Sequence, residues 1–201
     1  MTRLMLLPLF LLASAAWSRA DSLAAQNGRG NRLYAEGRYA DAEKAYLDAE
    51  VAHPGRPEVL YNLGNALLRQ GKWDPALRAL GQAAAKGDGR VRENAWFNTG
   101  NALFAMGRYQ DSAGAFVQAL RIDPDDRDAK RNLELALARL GKPSSAAAGQ
   151  KPQPRTEAGG RGGMSREQAL EMLDALKVRE TEEQRRRLAR AASPKAGARD
   201  W

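Results

Sequence analysis

A chain of 201 residues has room for one domain with flanking segments, and 28% of it is charged. The formal net charge is +8, but residues 21–141 carry 17 Lys+Arg against 16 Asp+Glu, whereas residues 142–201 carry 13 against 8. The basic excess therefore belongs to the C-terminal part, which argues against a nucleic-acid footprint on the rest. There is no cysteine and His53 is the only histidine, which excludes disulfides, thiol nucleophiles and a lipid anchor on cysteine, and leaves no His/Cys ligand set for a metal.

Residues 1–20 read as a secretory signal: Arg3, then an apolar run from Leu4 to Leu12 broken only by Pro8, then small residues. Ala13-Ser14-Ala15 and Ser18-Arg19-Ala20 are the candidate cleavage sites, and an uncleaved anchor is the alternative. The run falls short of the roughly 20 apolar residues of a membrane-spanning helix. Either way the rest of the chain is expected outside the cytoplasm, on the periplasmic side of a bacterial envelope.

A repeat then dominates. Leu60 to Ala83, "LYNLGNALLRQGKWDPALRALGQA", returns as Trp96 to Ala119, "WFNTGNALFAMGRYQDSAGAFVQA", and more weakly from Gln26 to Ala49. Gly30, Gly64 and Gly100 mark the register, 34 and then 36 residues apart. Leu60, Leu63, Gly64 and Leu67 share one helical face. Gly64 takes a side chain away where that helix meets a partner, at a propensity cost of about 1 kcal/mol. Gly71 supplies a turn, and Trp73, Ala76, Leu80 and Ala83 form the apolar stripe of an antiparallel second helix. The third copy repeats this through Trp96, Gly100, Leu103, Gly107, Tyr109, Phe116 and Ala119, with small Ser112 where alanine is usual. In the first copy Gln26 and Arg29 occupy positions that are normally apolar, as terminal repeats often allow.

This period and pattern resemble the tetratricopeptide repeat (TPR). The fold expected is all-α: a solenoid over residues 21–141 with repeats at about 23–56, 57–90 and 93–126, and a capping helix at 127–141 in which Leu133, Leu137 and Leu140 face inward. Asp125-Asp126 mark that helix's start. Residues 142–164, rich in Gly, Ser, Ala, Pro and Gln, read as a flexible linker. Residues 165–190 read as a helix that opens on the capping-box pair Ser165 and Gln168. Its stripe of Ala169, Met172, Leu173 and Leu176 needs the solenoid or another protein to bury it. Glu182 and Glu183 are spaced to pair with Arg186 and Arg187. Arg185, Arg186, Arg187 and Arg190 form either a solvated face or a contact for anionic lipid headgroups. Residues 191–201 form a tail ending Arg199-Asp200-Trp201.

An exported TPR segment, a low-complexity linker, a helix carrying "ALEMLDAL" and a basic stretch closing on Arg199-Asp200-Trp201 together resemble the TPR proteins of the Bat aerotolerance operon, the BatC-like proteins. The resemblance covers nearly the whole chain, and its usual ending has Lys in place of Arg199. It implies a scaffold in an envelope stress complex, with von Willebrand factor A-domain membrane proteins as partners and a MoxR-type ATPase further off. Met172, Leu173, Leu176, Asp200 and Trp201 are the candidate docking residues. Other readings of the same residues are an accessory factor in envelope assembly or cytochrome maturation, and a tether to anionic membrane or cell wall through the basic tail.

No nucleophile–base set, phosphate-binding loop or cofactor motif is evident, so a non-enzymatic protein without cofactors is expected. In TPRs the inner wall comes from the first helix of each repeat. By register this implies a groove of Asn31, Tyr34, Tyr61, Asn65, Leu68, Arg69, Phe97, Asn101, Phe104 and Arg131, with Leu135 beside it. Asn31, Asn65 and Asn101 hold one position in three copies; their amides offer either a ladder for an extended peptide or contacts between helices. The TPR subset that clamps a C-terminal carboxylate uses Lys and Arg beside such asparagines. Glu58 and Asn94 stand where basic residues are expected, which weakens that activity here.

Overall fold

The computed structural model describes residues 23–140 and 164–192. Residues 1–22, 141–163 and 193–201, which hold the expected leader, nearly all of the expected linker and most of the expected tail with Arg199, Asp200 and Trp201, lie outside the described residues. Helices α1 (23–35), α2 (Tyr39–Ala52), α3 (Pro57–Arg69), α4 (Trp73–Lys86), α5 (Gly89–Ala105), α6 (Tyr109–Ile122) and α7 (Arg127–Leu140) follow in sequence, and α8 (Arg166–Ala192) comes after residues 141–163. Among the described residues there is no strand, and no helix is long and apolar enough to cross a membrane.

The turn inside each repeat is set by one residue. Gly37, Gly71 and Gly107 adopt φ of 75°, 72° and 74°, a left-handed conformation that side chains beyond Cα disfavour. Each closes its first helix with short backbone bonds; Gly71 donates to Leu68 O at 3.0 Å and Lys72 to Leu67 O at 3.0 Å. Pro57 opens α3, where its missing N–H costs nothing. Asp126 opens α7, its Oδ1 accepting from the backbone N of Asp128 at 2.9 Å and of Ala129 at 3.1 Å.

Packing within a repeat is a glycine-to-bulky-residue lock. A Cβ at Gly30 would lie 2.3 Å from the Tyr46 ring, at Gly64 2.7 Å from Leu80 Cγ, and at Gly100 2.6 Å from the Phe116 ring. Tyr46, Leu80 and Phe116 are almost wholly buried, with Ala42, Ala49, Ala76, Ala83 and Ala119 allowing the close approach. Ser112 is also fully buried, and its hydroxyl donates to Gly100 O at 2.8 Å, which ties α6 to α5 at the lock itself. Trp73 departs from the expected stripe. At the first position of α4 it lies at the helix end and is 38% exposed. Helix α5 starts at Gly89, ahead of the expected repeat boundary at residue 93.

The capping helix α7 turns Leu133 and Leu137 inward, with Leu140 half-buried, and is itself covered. Helix α8 lies across α6 and α7, and Ala169, Leu173 and Leu176 join one core with Val117, Leu120 and Leu133. The capping box is formed: Gln168 N donates to Ser165 Oγ at 3.2 Å, and Ser165 N to Gln168 Oε1 at 2.9 Å. Gln110 Nε2 reaches Met164 O near the start of α6, while Lys177 meets Glu134 at 2.9 Å and Glu180 meets Lys130 at 3.5 Å further along. Helix α8 thus runs parallel to α6 and antiparallel to α7, in the sense of a second helix completing a fourth hairpin. The expected pairing of Glu182 with Arg186 and Glu183 with Arg187 is not made. Glu183 instead pairs one turn back with Arg179 at 3.1 Å, because Arg179 is drawn to the solenoid by Asp125 at 2.9 Å.

Candidate functional site

First helices touch first helices along the solenoid, α3 to α5 and α5 to α7, while among α2, α4 and α6 no such contacts form. The layer of first helices is therefore the tighter one, and it lies on the inside of the curve. Its surface is stitched by side-chain amides. Asn62 Nδ2 of α3 donates to Asn27 Oδ1 at 3.0 Å and Asn31 Oδ1 at 3.1 Å on α1. Asn98 Nδ2 of α5 donates to Asn65 Oδ1 at 2.7 Å and Tyr61 Oη at 3.2 Å on α3. Asn132 Nδ2 of α7 donates to Asn101 Oδ1 at 3.0 Å on α5. One rung thus crosses each boundary between repeats.

Each rung uses one half of the repeated asparagine. Asn31, Asn65 and Asn101 give their oxygens to the next repeat, and Asn31 Oδ1 also accepts from the Tyr46 hydroxyl at 2.8 Å. Their Nδ2 groups make no hydrogen bond to any described residue. Asn62, Asn98 and Asn132 were not singled out from the sequence. Their spacing, 36 and then 34 residues, was the signal available, since it keeps step with the glycines.

The rings are braced from behind. Tyr34 meets Tyr39 edge-on with centroids 5.2 Å apart, Phe97 meets Phe116 at 5.8 Å, and Phe104 meets Tyr109 at 5.2 Å. Arg69 lies over the Tyr39 ring at 4.7 Å and Arg139 over Phe104 at 5.9 Å, so both guanidinium groups are held by aromatic faces. Tyr34, Tyr61, Leu68, Phe97 and Phe104 are half-buried, whereas Arg69 and Arg131 are exposed. Leu68 packs where the first two cores meet. Arg131 has no ion-pair or ring partner among the described residues. Between α5 and α7 the surface dips into a depression of about 80 Å³ lined by Asn101, Phe104, Phe116, Asn132 and Leu135.

Burial pushes the Tyr46 hydroxyl up from its ordinary 10.0 to about 12, with a smaller contribution from Tyr34. Burial also raises Tyr34, against the pull of Arg69. Both phenols are therefore neutral donors at physiological pH. Among the described residues no cluster of His, Cys, Asp and Glu is placed to hold a metal ion. The remaining candidate docking residues go elsewhere: Met172, Leu173 and Leu176 pack into the core beneath α8, so they serve the molecule's own assembly.

Paired antiparallel helices, locked by glycine at a period of 34 to 36 residues with first helices lining the inside, define a tetratricopeptide repeat solenoid. Residues 27–95 and 93–126 match family models described as tetratricopeptide repeat. Over 128 residues the chain is 30% identical to small glutamine-rich tetratricopeptide repeat-containing protein 2 of Mycosarcoma maydis, covering 64% of this chain and 35% of that protein. The chain therefore spans about a third of that relative's length. Among solved structures, the first TPR of Spaghetti (RPAP3) bound to the HSP90 peptide SRMEEVD is similar at TM-score 0.56 and 22% identity, over 60% of this chain and 94% of that one. MamA is similar at TM-score 0.59 and 17% identity, over 86% of each chain.

Proposed function

We propose that this protein is a non-enzymatic scaffold that holds an extended segment of a partner protein along its inner face. The observation that carries this reading is the row of unused amide donors on Asn31, Asn65 and Asn101, each fixed in direction because its oxygen is already bonded to the next repeat. A row of fixed N–H groups at the repeat spacing suits the carbonyls of an extended backbone, which needs no particular side chains. Side-chain selection falls to the depression beside Phe104 and Leu135, about 80 Å³ and mostly apolar, which takes one small aliphatic group. Arg131 adds a positive edge. The Spaghetti repeat domain, similar in fold, is bound to a peptide, and that supports a peptide-binding use of the fold here.

The setting we propose is the periplasmic side of a bacterial envelope, in a Bat-type complex with von Willebrand A-domain membrane proteins and, indirectly, a MoxR-type ATPase. Its support is the leader-like residues 1–20 and the Arg199-Asp200-Trp201 ending. An accessory role in envelope assembly or cytochrome maturation would share the groove and differ only in the partner. The tether to anionic membrane or cell wall draws its support from Arg185, Arg186, Arg187 and Arg190, which are exposed and without carboxylate partners among the described residues.

The groove is tested with Asn65→Asp/Asn101→Asp. Alanine at these positions would also break the rungs from Asn98 and Asn132, so it would lower stability as well as binding, by about 1 kcal/mol per rung. Aspartate keeps the accepting oxygen and puts a charged acceptor in place of the donor, which repels a backbone carbonyl. Capture of von Willebrand A-domain partners in crosslinked envelope fractions should fall at least several-fold with little change in melting temperature, and unchanged capture would refute the groove assignment.

A further inference from the structure

Two exposed faces at opposite ends of the molecule are complementary. At the N-terminal end, the outer surface between α2 and α4 sinks into a depression of about 280 Å³. Leu60, Leu63 and Leu67 form its floor, and Leu47, 45% exposed, forms one wall. One turn beyond Leu47 stands Val51, 82% exposed. The charge along α2 is acidic, with Asp41, Glu43, Asp48 and Glu50 against one Lys44. Asp41 is engaged with Arg38 at 2.8 Å and Glu43 with Lys72 at 2.6 Å, but Asp48 has no ion pair among the described residues. Glu50, at the depression, spends one oxygen on Gly55 N at 2.7 Å and leaves Oε2 buried with no partner. That oxygen is sealed from solvent, so the carboxylate of α2 open to a partner is Asp48. Arg78 is the cation on the opposite rim.

At the C-terminal end, α8 is 27 residues long but is buried only through its first half, at Ala169, Leu173 and Leu176. The remainder projects as an arm. Val178, Thr181, Arg185 and Leu188 fall at i, i+3, i+7 and i+10 and share one exposed stripe, with Val178 58% and Leu188 64% exposed. Arg186, Arg187 and Arg190 flank it, and none of the four arginines has a carboxylate partner among the described residues. Arg179–Asp125 and Lys177–Glu134 pin the base of the arm to the C-terminal end of its own solenoid, away from its own α2.

We propose that the arm of α8 from one copy docks in the α2–α4 depression of a second copy, with Leu188 entering beside Leu47 and the arginines around it reaching Asp48. Val178 and Leu188 match Leu47 and Val51, and the unpaired Asp48 meets the basic arm with opposite charge. The two surfaces are different and lie at opposite ends, so the contact is head-to-tail and propagates into chains of copies unless curvature closes it into a ring. It leaves the inner face free and does not depend on the groove reading.

The test is sedimentation equilibrium of the full chain from micromolar to millimolar concentration. Average mass should rise with concentration, and the rise should weaken with added salt. Leu188→Asp and Leu47→Asp, both at exposed positions, should each raise the dissociation constant at least about tenfold while the melting temperature holds. Since the chain has no cysteine, a mixture of Val51→Cys and Leu188→Cys chains carrying different tags reports the pairing directly. Oxidation should give the mixed disulfide in preference to either like pair. A mass fixed at the monomer, self-association indifferent to Leu188→Asp, or like pairs forming as readily as the mixed one would each overturn the proposal.

Discussion

Gly100 and Gly81 are both helical glycines, yet they should respond oppositely to alanine. At Gly100 the new Cβ would sit 2.6 Å from the Phe116 ring, whereas at Gly81 nothing lies within 4 Å. Gly100→Ala should therefore destabilise by about 1–3 kcal/mol through overpacking. Gly81→Ala should stabilise by up to about 1 kcal/mol through helix propensity. Thermal melting of the two variants decides it. The sequence made the first case legible because Gly100 recurs in register with an aromatic sixteen positions later. It offered contacts between helices as one use of Asn31, Asn65 and Asn101 but did not reveal their partners Asn62, Asn98 and Asn132, since a hydrogen bond between repeats depends on how two helices are offset along their axes. Tyr46 gives a pH prediction at the same scale. Its neutral form is favoured in the fold, so its contribution is complete below its ordinary pKa of 10.0 and is lost as pH climbs toward about 12. Alkaline melting curves should show that loss in the wild type, and Tyr46→Phe should flatten it.

At the scale of elements, α8 is the helix whose place the sequence left open. Its stripe announced that Leu173 and Leu176 needed a partner, but the partner surface is assembled from two separate stretches of chain, α6 and α7. The register residue that is glycine in three repeats is Glu134 in α7, where a close lock is impossible and an ion pair to Lys177 at 2.9 Å stands instead. Magnitudes say which contacts hold α8 down. Exposed ion pairs contribute about 0–1 kcal/mol each, while each buried leucine contributes about 1.5–3 kcal/mol. High salt should therefore leave α8 docked, and Leu173→Asp should release it. Hydrogen exchange along α8 is the readout: protection at residues 169–176 should survive added salt and collapse in the variant.

Across the whole molecule each helix contacts its neighbours in the stack, and the two ends share no core; the apolar cores divide into an N-terminal, a central and a C-terminal cluster. Stability then sums over repeats and the boundaries between them. The first repeat should be the weak end, because Gln26 Oε1 is buried without a partner and Arg29 stands exposed where an apolar residue would pack. Exchange protection should accordingly rise from α1 toward α5 and α6, and a uniform profile would contradict it. That ordering was partly readable in advance from Gln26 and Arg29, since composition alone shows which face lacks apolar cover. The curvature of the solenoid was not readable, because it accumulates from small rotations at each boundary. A stack joined only at its boundaries has a mechanical consequence as well. Tension applied to its two ends is carried through every interface in series, so the molecule should stretch like a soft spring and then peel apart hairpin by hairpin, the α1–α2 pair yielding first.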